Sequence, residues 1–181
     1  IALAALTITS CSNDENMVNI PQGNAIEFGT YVGRDAQTRG SVLNNDIATG
    51  LPKQGFGVFA YYTDDTDYNA SNSLANFMNN PHVTSNDGTT WTYSPVKYWP
   101  NEGTDKLSFF AYAPYGAYTV ATTGDPILDF TVNPDPTFHV DLVVADASEK
   151  KNLTKQNTTG TVQFNFKHVL SRVGFKVEAV V

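Results

Sequence analysis

Short pieces are what most constrain this chain. After the first two dozen residues, strand-length runs of apolar and aromatic residues alternate with clusters of Gly, Pro, Asn and Asp. A run of about four to eight residues with period-two alternation, bounded by such clusters, reads as a half-buried β-strand. In residues 26–32, Ile26, Phe28, Thr30 and Val32 share one face. Further strands are predicted over residues 57–62, 91–93, 97–99, 107–113, 127–132, 140–145, 161–168 and 173–181. Asn86-Asp87-Gly88 marks a hairpin turn before Trp91, because Asp-Gly tolerates positive φ. Only residues 73–80 carry a helical spacing, Leu74, Phe77 and Met78 at i, i+3 and i+4, with Pro81 to stop it. The expectation is an all-β sandwich of about seven or eight strands with one short helix at most.

Near the end of the chain the pattern changes phase. Val162, Phe164, Phe166 and His168 share one parity, and Val173, Phe175, Val177 and Ala179 share the other, so a bulge or tight turn is expected at residues 169–172. His168 continues the apolar face and is expected to be a hydrogen-bonded core residue. The apolar run at Ala179-Val180-Val181 predicts that the natural protein continues beyond this sequence.

The beginning is of a different kind. Ile1 to Thr9 is an apolar run too short for a membrane span, which takes about 20 residues, but suited to the hydrophobic part of a signal peptide. Small residues then precede Cys11, the one cysteine, and polar Ser12-Asn13-Asp14-Glu15-Asn16 follows it. This resembles a bacterial lipobox, in which the cysteine thiol receives diacylglycerol and the residues before it are removed. Residues 1–10 are thus expected to be a leader remnant, Cys11 the lipidation site, residues 11–25 a tether and residues 26–181 one β-sandwich domain. Several acyl chains on one residue hold a membrane far better than one.

Charge and chemistry exclude more than they suggest. With 11 Lys+Arg against 18 Asp+Glu, the net charge of −7 opposes nucleic-acid binding, which needs a basic stripe to neutralise phosphates. A single cysteine leaves no intramolecular disulfide or Cys-rich zinc site. Asp65, Asp67 and Asn69 imitate the start of a calcium loop, but Ala70 stands in place of the turn glycine and Asn76 in place of the bidentate Glu. His82, His139 and His168 are far apart in sequence, and no nucleophile elbow, phosphate loop or dinucleotide fingerprint occurs. The expectation is a protein without catalysis, metal or cofactor. Trp91, Tyr93, Tyr98, Trp99, Phe109, Phe110, Tyr112, Tyr115 and Tyr118 make the middle aromatic. Such residues stack on sugars at binding sites, but in strands they more often pack in the core.

Three stretches together resemble the fimbrillin family of Gram-negative gut and oral bacteria. Val96-Lys97-Tyr98-Trp99-Pro100 is followed by Lys106-Leu107-Ser108-Phe109-Phe110-Ala111-Tyr112-Ala113-Pro114. Val162-Gln163-Phe164-Asn165-Phe166-Lys167-His168-Val169-Leu170-Ser171-Arg172-Val173 matches that family's strand and turn. Thr38-Arg39-Gly40 precedes the strand with Phe56, Val58 and Phe59.

The resemblance implies a transthyretin-like Greek-key sandwich as an N-terminal domain, usually with a second sandwich after it. It implies a structural subunit or anchor of a surface pilus, exported as an outer-membrane lipoprotein and contributing to adhesion. An Arg-specific protease would remove the first strand, and a strand from the next subunit would fill the groove. Here the strand would be residues 26–32, with Ile26, Phe28, Thr30 and Val32 facing inward. Of the two cleavage candidates, Arg39 precedes small Gly40 in a polar stretch, whereas Arg34 lies against the strand. Partners would be other pilus subunits, the outer-membrane lipid anchor and a host or bacterial surface ligand. The alternative is a monomeric surface lipoprotein that holds glycan or a host ligand with its aromatics and loops.

Overall fold

The computed structural model describes residues 24–33 and 43–171, except 72, 117, 119, 122 and 149. Cys11, Arg34, Arg39, Gly40 and the predicted strand at 173–181 lie outside the described residues.

Alternating side chains make this an all-β, sandwich-like structure. A seven-stranded sheet runs in the order β1 (Glu27–Val32), β9 (Thr161–His168), β8 (Val143–Ala145), β5 (Leu107–Ala113), β2 (Phe56–Tyr62), β3 (Met78–Ser85) and β4 (Trp91–Thr92). All neighbours are antiparallel except β1 and β9, which run parallel with Glu27 opposite Thr161 and Val32 opposite Phe166. A small hairpin of β6 (Val120–Ala121) and β7 (Ile127–Leu128) stands apart from the sheet. The sheet curls until its ends meet at the antiparallel bridge between Ala25 and Tyr98, so it is nearly closed.

Parity divides the apolar residues between two clusters. Val58 and Ala60 on β2, Phe109 and Ala111 on β5, Val143 on β8 and Val162, Phe164 and Phe166 on β9 fill the main core inside the curl. The opposite parity, Phe59, Tyr61 and Tyr112, faces outward into a second cluster with Leu142. Tyr68, Tyr118, Leu128 and Phe130 cover it as the second layer. Strand β2 is therefore buried on both faces and reads as a continuous apolar run.

Several places depart from the sequence expectation. Residues 73–80 form no helix; the chain enters β3 at Met78, and Pro81 sits within that strand. Phe77 N–H bonds the Ala60 carbonyl at 3.1 Å, the first rung of pairing with β2. Leu74 is left 56% exposed while Met78 is buried, so the two do not share the single apolar face that their helical spacing predicts. Pro81 is tolerated because β3 pairs with β4 only at Thr84 and Ser85, leaving its earlier residues an outer edge. Helical turns occur instead at α1 (Leu51–Gln54) and α2 (Lys155–Thr158), with a 3-10 turn at Pro136–Phe138. The predicted strand at 97–99 is reduced to the single bridge at Tyr98, and those at 127–132 and 140–145 shorten to β7 and β8. The turn at Asp87-Gly88 forms between β3 and β4 as expected, with Gly88 at φ 75°.

Candidate functional site

The first strand occupies a slot in the wall of the core. Its alternation places Ile26, Phe28 and Val32 inward at 1%, 4% and 3% exposure, and Thr30 half-buried. Glu27 and Tyr31, of the other parity, face solvent. Phe28 is enclosed by four rings, with centroids at 5.2 Å to Tyr93, 5.5 Å to Phe164, 6.0 Å to Phe56 and 6.3 Å to Phe109. The tilted and edge-on arrangements among these rings are the ones their quadrupoles favour. Burying each of the three apolar side chains contributes about 1.5–3 kcal/mol. Strand β1 thus adds much of its weight through a few side chains.

The two long sides of the slot differ. On one side, β9 supplies a full parallel ladder from Glu27 to Val32, extended by Gly33 N–H to the Phe166 carbonyl at 3.3 Å. On the other side the grip is confined to the start. There, Ile26 N–H donates to the Lys97 carbonyl at 2.9 Å, and the Ile26 carbonyl accepts from the Tyr93 hydroxyl at 2.9 Å. Trp99 N–H donates to the Asn24 carbonyl at 2.8 Å, and the indole Nε1 donates to the Gly160 carbonyl at 3.0 Å. Lys155 Nζ donates to Asn24 Oδ1 at the same end. Burial raises the Tyr93 phenol above its ordinary pKa, so it remains a donor through the physiological range. Beyond Ile26, among the described residues, no strand pairs with the outer edge of β1. Such an edge is open to a further strand.

Leu43 is buried at 3%. Leu43 N–H donates to Asp141 Oδ2 at 2.8 Å, and His168 Nδ1 lies 3.0 Å from Asp141 Oδ1 and 2.9 Å from Oδ2. The histidine was legible in sequence as a bonded residue; its partner was not, because Asp141 and His168 belong to different strand segments.

The other sequence candidates disperse. His82 stacks on Tyr115 at 4.1 Å between centroids, and His139 lies against the Asn133 carbonyl at 2.9 Å. Asp67 pairs with Lys106 Nζ at 2.8 Å, and the same ammonium donates to the Asp65 carbonyl. Among the described residues, no three His, Cys, Asp or Glu side chains are placed to hold a metal ion, and no helix is long and apolar enough to cross a membrane. Of the aromatics, Trp99, Phe109 and Tyr112 are buried and Trp91, Tyr93, Phe110 and Tyr118 half-buried, while Tyr98 and Tyr115 are each 38% exposed. Their surfaces are mostly spent on packing. A cavity of about 300 Å³ under the β6–β7 hairpin is lined by Phe59, Phe110, Tyr112 and Leu128 beside Asp125. That carboxylate accepts from the Tyr68 hydroxyl at 3.0 Å and Lys151 Nζ at 3.2 Å. Nearby, burial and then the Asp125 charge push the Tyr61 phenol up to about 12.

Residues 38–180 match the family described as fimbrillin-like. The fimbrium subunit Fim1C of Phocaeicola vulgatus is 32% identical over 189 residues, which take in 96% of this chain and 48% of that protein. A solved structure of a fimbrial protein from Bacteroides vulgatus superposes with a TM-score of 0.65 at 28% identity, over 81% of this chain and 45% of that one. The chain spans about half the length of each of these relatives.

Proposed function

The chain belongs to the fimbrillin-like family, and on that premise we propose that it is a structural subunit or anchor of a surface pilus. The precursor leaves the cell as a lipoprotein acylated at Cys11 and stands on the outer membrane. Cleavage after Arg39 frees β1, and a strand from a neighbouring subunit takes its place. Repeating that contact head to tail builds an open filament that contributes to adhesion. The work of the domain is mechanical and carries no catalysis.

The observation that carries this reading is the slot itself. Strand β1 is held along one side by a parallel ladder and inward by three buried side chains, while its outer edge beyond Ile26 pairs with no strand among the described residues. Main-chain pairing supplies affinity and alternate pockets supply specificity, which is how strand addition works in general. The comparisons support the pilus assignment through relatives that are themselves named fimbrial.

The test is the intact mass and N-terminal sequence of the protein recovered from native surface appendages. A lipid-free chain starting at Gly40 is the expected result for a polymerised subunit; a diacylated chain starting at Cys11 assigns the anchor role. Arg39→Ala is expected to block polymerisation without unfolding the monomer. Normal filaments from that variant refute the cleavage assignment.

A further inference from the structure

The slot has one pocket unlike the rest. Ile26 and Val32 sit at its ends, Thr30 is half-buried, and Phe28 alone is surrounded by four rings. Two residues before it, both main-chain groups of Ile26 are held from the outer side, and the next residue is held by the opposite wall. The Ile26 N–H and C=O meet Lys97 and Tyr93, while Glu27 N–H reaches the Gly160 carbonyl of the opposite wall at 3.4 Å. The spacing between this doubly held residue and the ring pocket is set by the covalent geometry of an extended strand. Among the described residues, nothing comparable fixes the later half, which pairs with β9 alone.

From this we infer that the slot selects its occupant by one aromatic residue placed two positions after the residue held by Lys97 and Tyr93. The occupant is a strand of a neighbouring pilus subunit, running parallel to β9 as β1 does. Its inward pattern is aliphatic, aromatic, small or polar, aliphatic, at alternate positions. The residue at the held position is not proline, since its N–H is required. The inference rests on the strand-replacement reading above and adds to it the partner's register and chemistry.

Physical reasons favour the aromatic over a general apolar pattern. A ring-sized void among Tyr93, Phe164, Phe56 and Phe109 is larger than these rigid neighbours can close, and a smaller side chain leaves most of it empty. A strand slipped by two residues would also put its aromatic at a site built for Ile26 or Thr30. Slipping by one residue would turn it to solvent. Outward positions carry little information: a Cβ at Gly29 would meet only the far end of the exposed Gln163 side chain. The polar residues there are free to vary.

The experiment uses residues 1–181 carrying Arg34→Lys and Arg172→Lys, so that within them an Arg-specific protease cuts only after Arg39. The cut protein is unfolded in urea and refolded with excess fluorescent peptide, and binding is read by anisotropy and gel filtration. Three peptides are compared: the sequence of residues 25–33, the same with Phe28→Ala, and the same with Phe28→Thr and Thr30→Phe. The first is expected to bind, and both others to bind about 100-fold more weakly or worse. If all three bind alike, aromatic selection is overturned while strand replacement stands. If none binds and β1 stays in place, strand replacement fails, and this inference fails with it.

Discussion

Asp141→Ala is the most informative single change to the body of the domain. The carboxylate joins Leu43 and His168, with Asp141 and His168 side chains only 19% and 11% exposed. Removing it deletes a charge-assisted bond to the Leu43 amide, which lies beside a fully packed side chain. A buried donor left without a partner costs about 1–3 kcal/mol, and loss of the His168 contact adds about 1 kcal/mol. The sum is about 2–4 kcal/mol, against a total stability of roughly 5–15 kcal/mol for a domain. At about 2–4 °C per kcal/mol for this size, thermal unfolding should fall by roughly 5–15 °C. Asp141→Asn keeps an oxygen acceptor for Leu43 and should lose about half as much. Urea titration of the two variants, with His168→Ala and the double mutant, yields the coupling energy directly. An Asp141→Ala protein within about 0.5 kcal/mol of wild type, or an Asn variant as unstable as the Ala variant, refutes the bridging role.

Three further outcomes follow from the fold. Phe28→Ala should destabilise by about 3–5 kcal/mol through the void it leaves. Tyr31→Ala, on the opposite face of the same strand and 53% exposed, should stay within about 0.5 kcal/mol; equal effects in urea titration refute the assigned facing. Gly57→Ala should cost about 1–3 kcal/mol, because its Cβ would lie 2.1 Å from Asn80 Oδ1 and 2.5 Å from Tyr112 Cε1 at the irregularity between β2 and β3. Gly103→Ala, facing only Gln156 Nε2 at 3.0 Å, is its mild control. Finally, Asp87 is held well below the usual carboxylate range by the backbone N–H groups of Thr90 and Thr89. Its folded pKa lies below the unfolded one, so the unfolded state takes up the proton first. The stabilisation is complete above the unfolded pKa of about 4 and is lost as pH falls toward the folded value. Asp87→Asn should therefore flatten the loss of stability below about pH 4, seen as a smaller drop in melting temperature than wild type shows.

Period-two alternation was enough to find β1 and β9 and the inward face of each, because those strands bury whole parities of large side chains; β2 and β5 were legible only as short apolar runs, being buried on both faces. The Asp-Gly turn was legible because its chemistry is local. Residues 73–80 misled because Leu74, Phe77 and Met78 satisfy a helical spacing that the pairing of Phe77 and Met78 with β2 overrides. Pro81 then looked like a helix stop, whereas it lies on the unpaired edge of β3. Among site residues, the inward side chains of β1 were visible in sequence. Tyr93, Lys97 and Asp141, which hold the strand and the chain after it, were not, since their roles come from contacts across the sheet.

The amino-acid sequence by itself determined the class of the protein: strand length, strand facing, the local turn and a family signature carried by aromatic runs. These are short-range properties, set by steric preference at each residue and by alternation along an extended chain. Only the tertiary structure decided that β1 and β9, from opposite ends of the described chain, run parallel. It alone brought Tyr93 and Lys97 to the start of that strand and four rings around Phe28. Pairing of distant strands depends on which apolar faces can be buried together, and local periodicity holds no record of that choice.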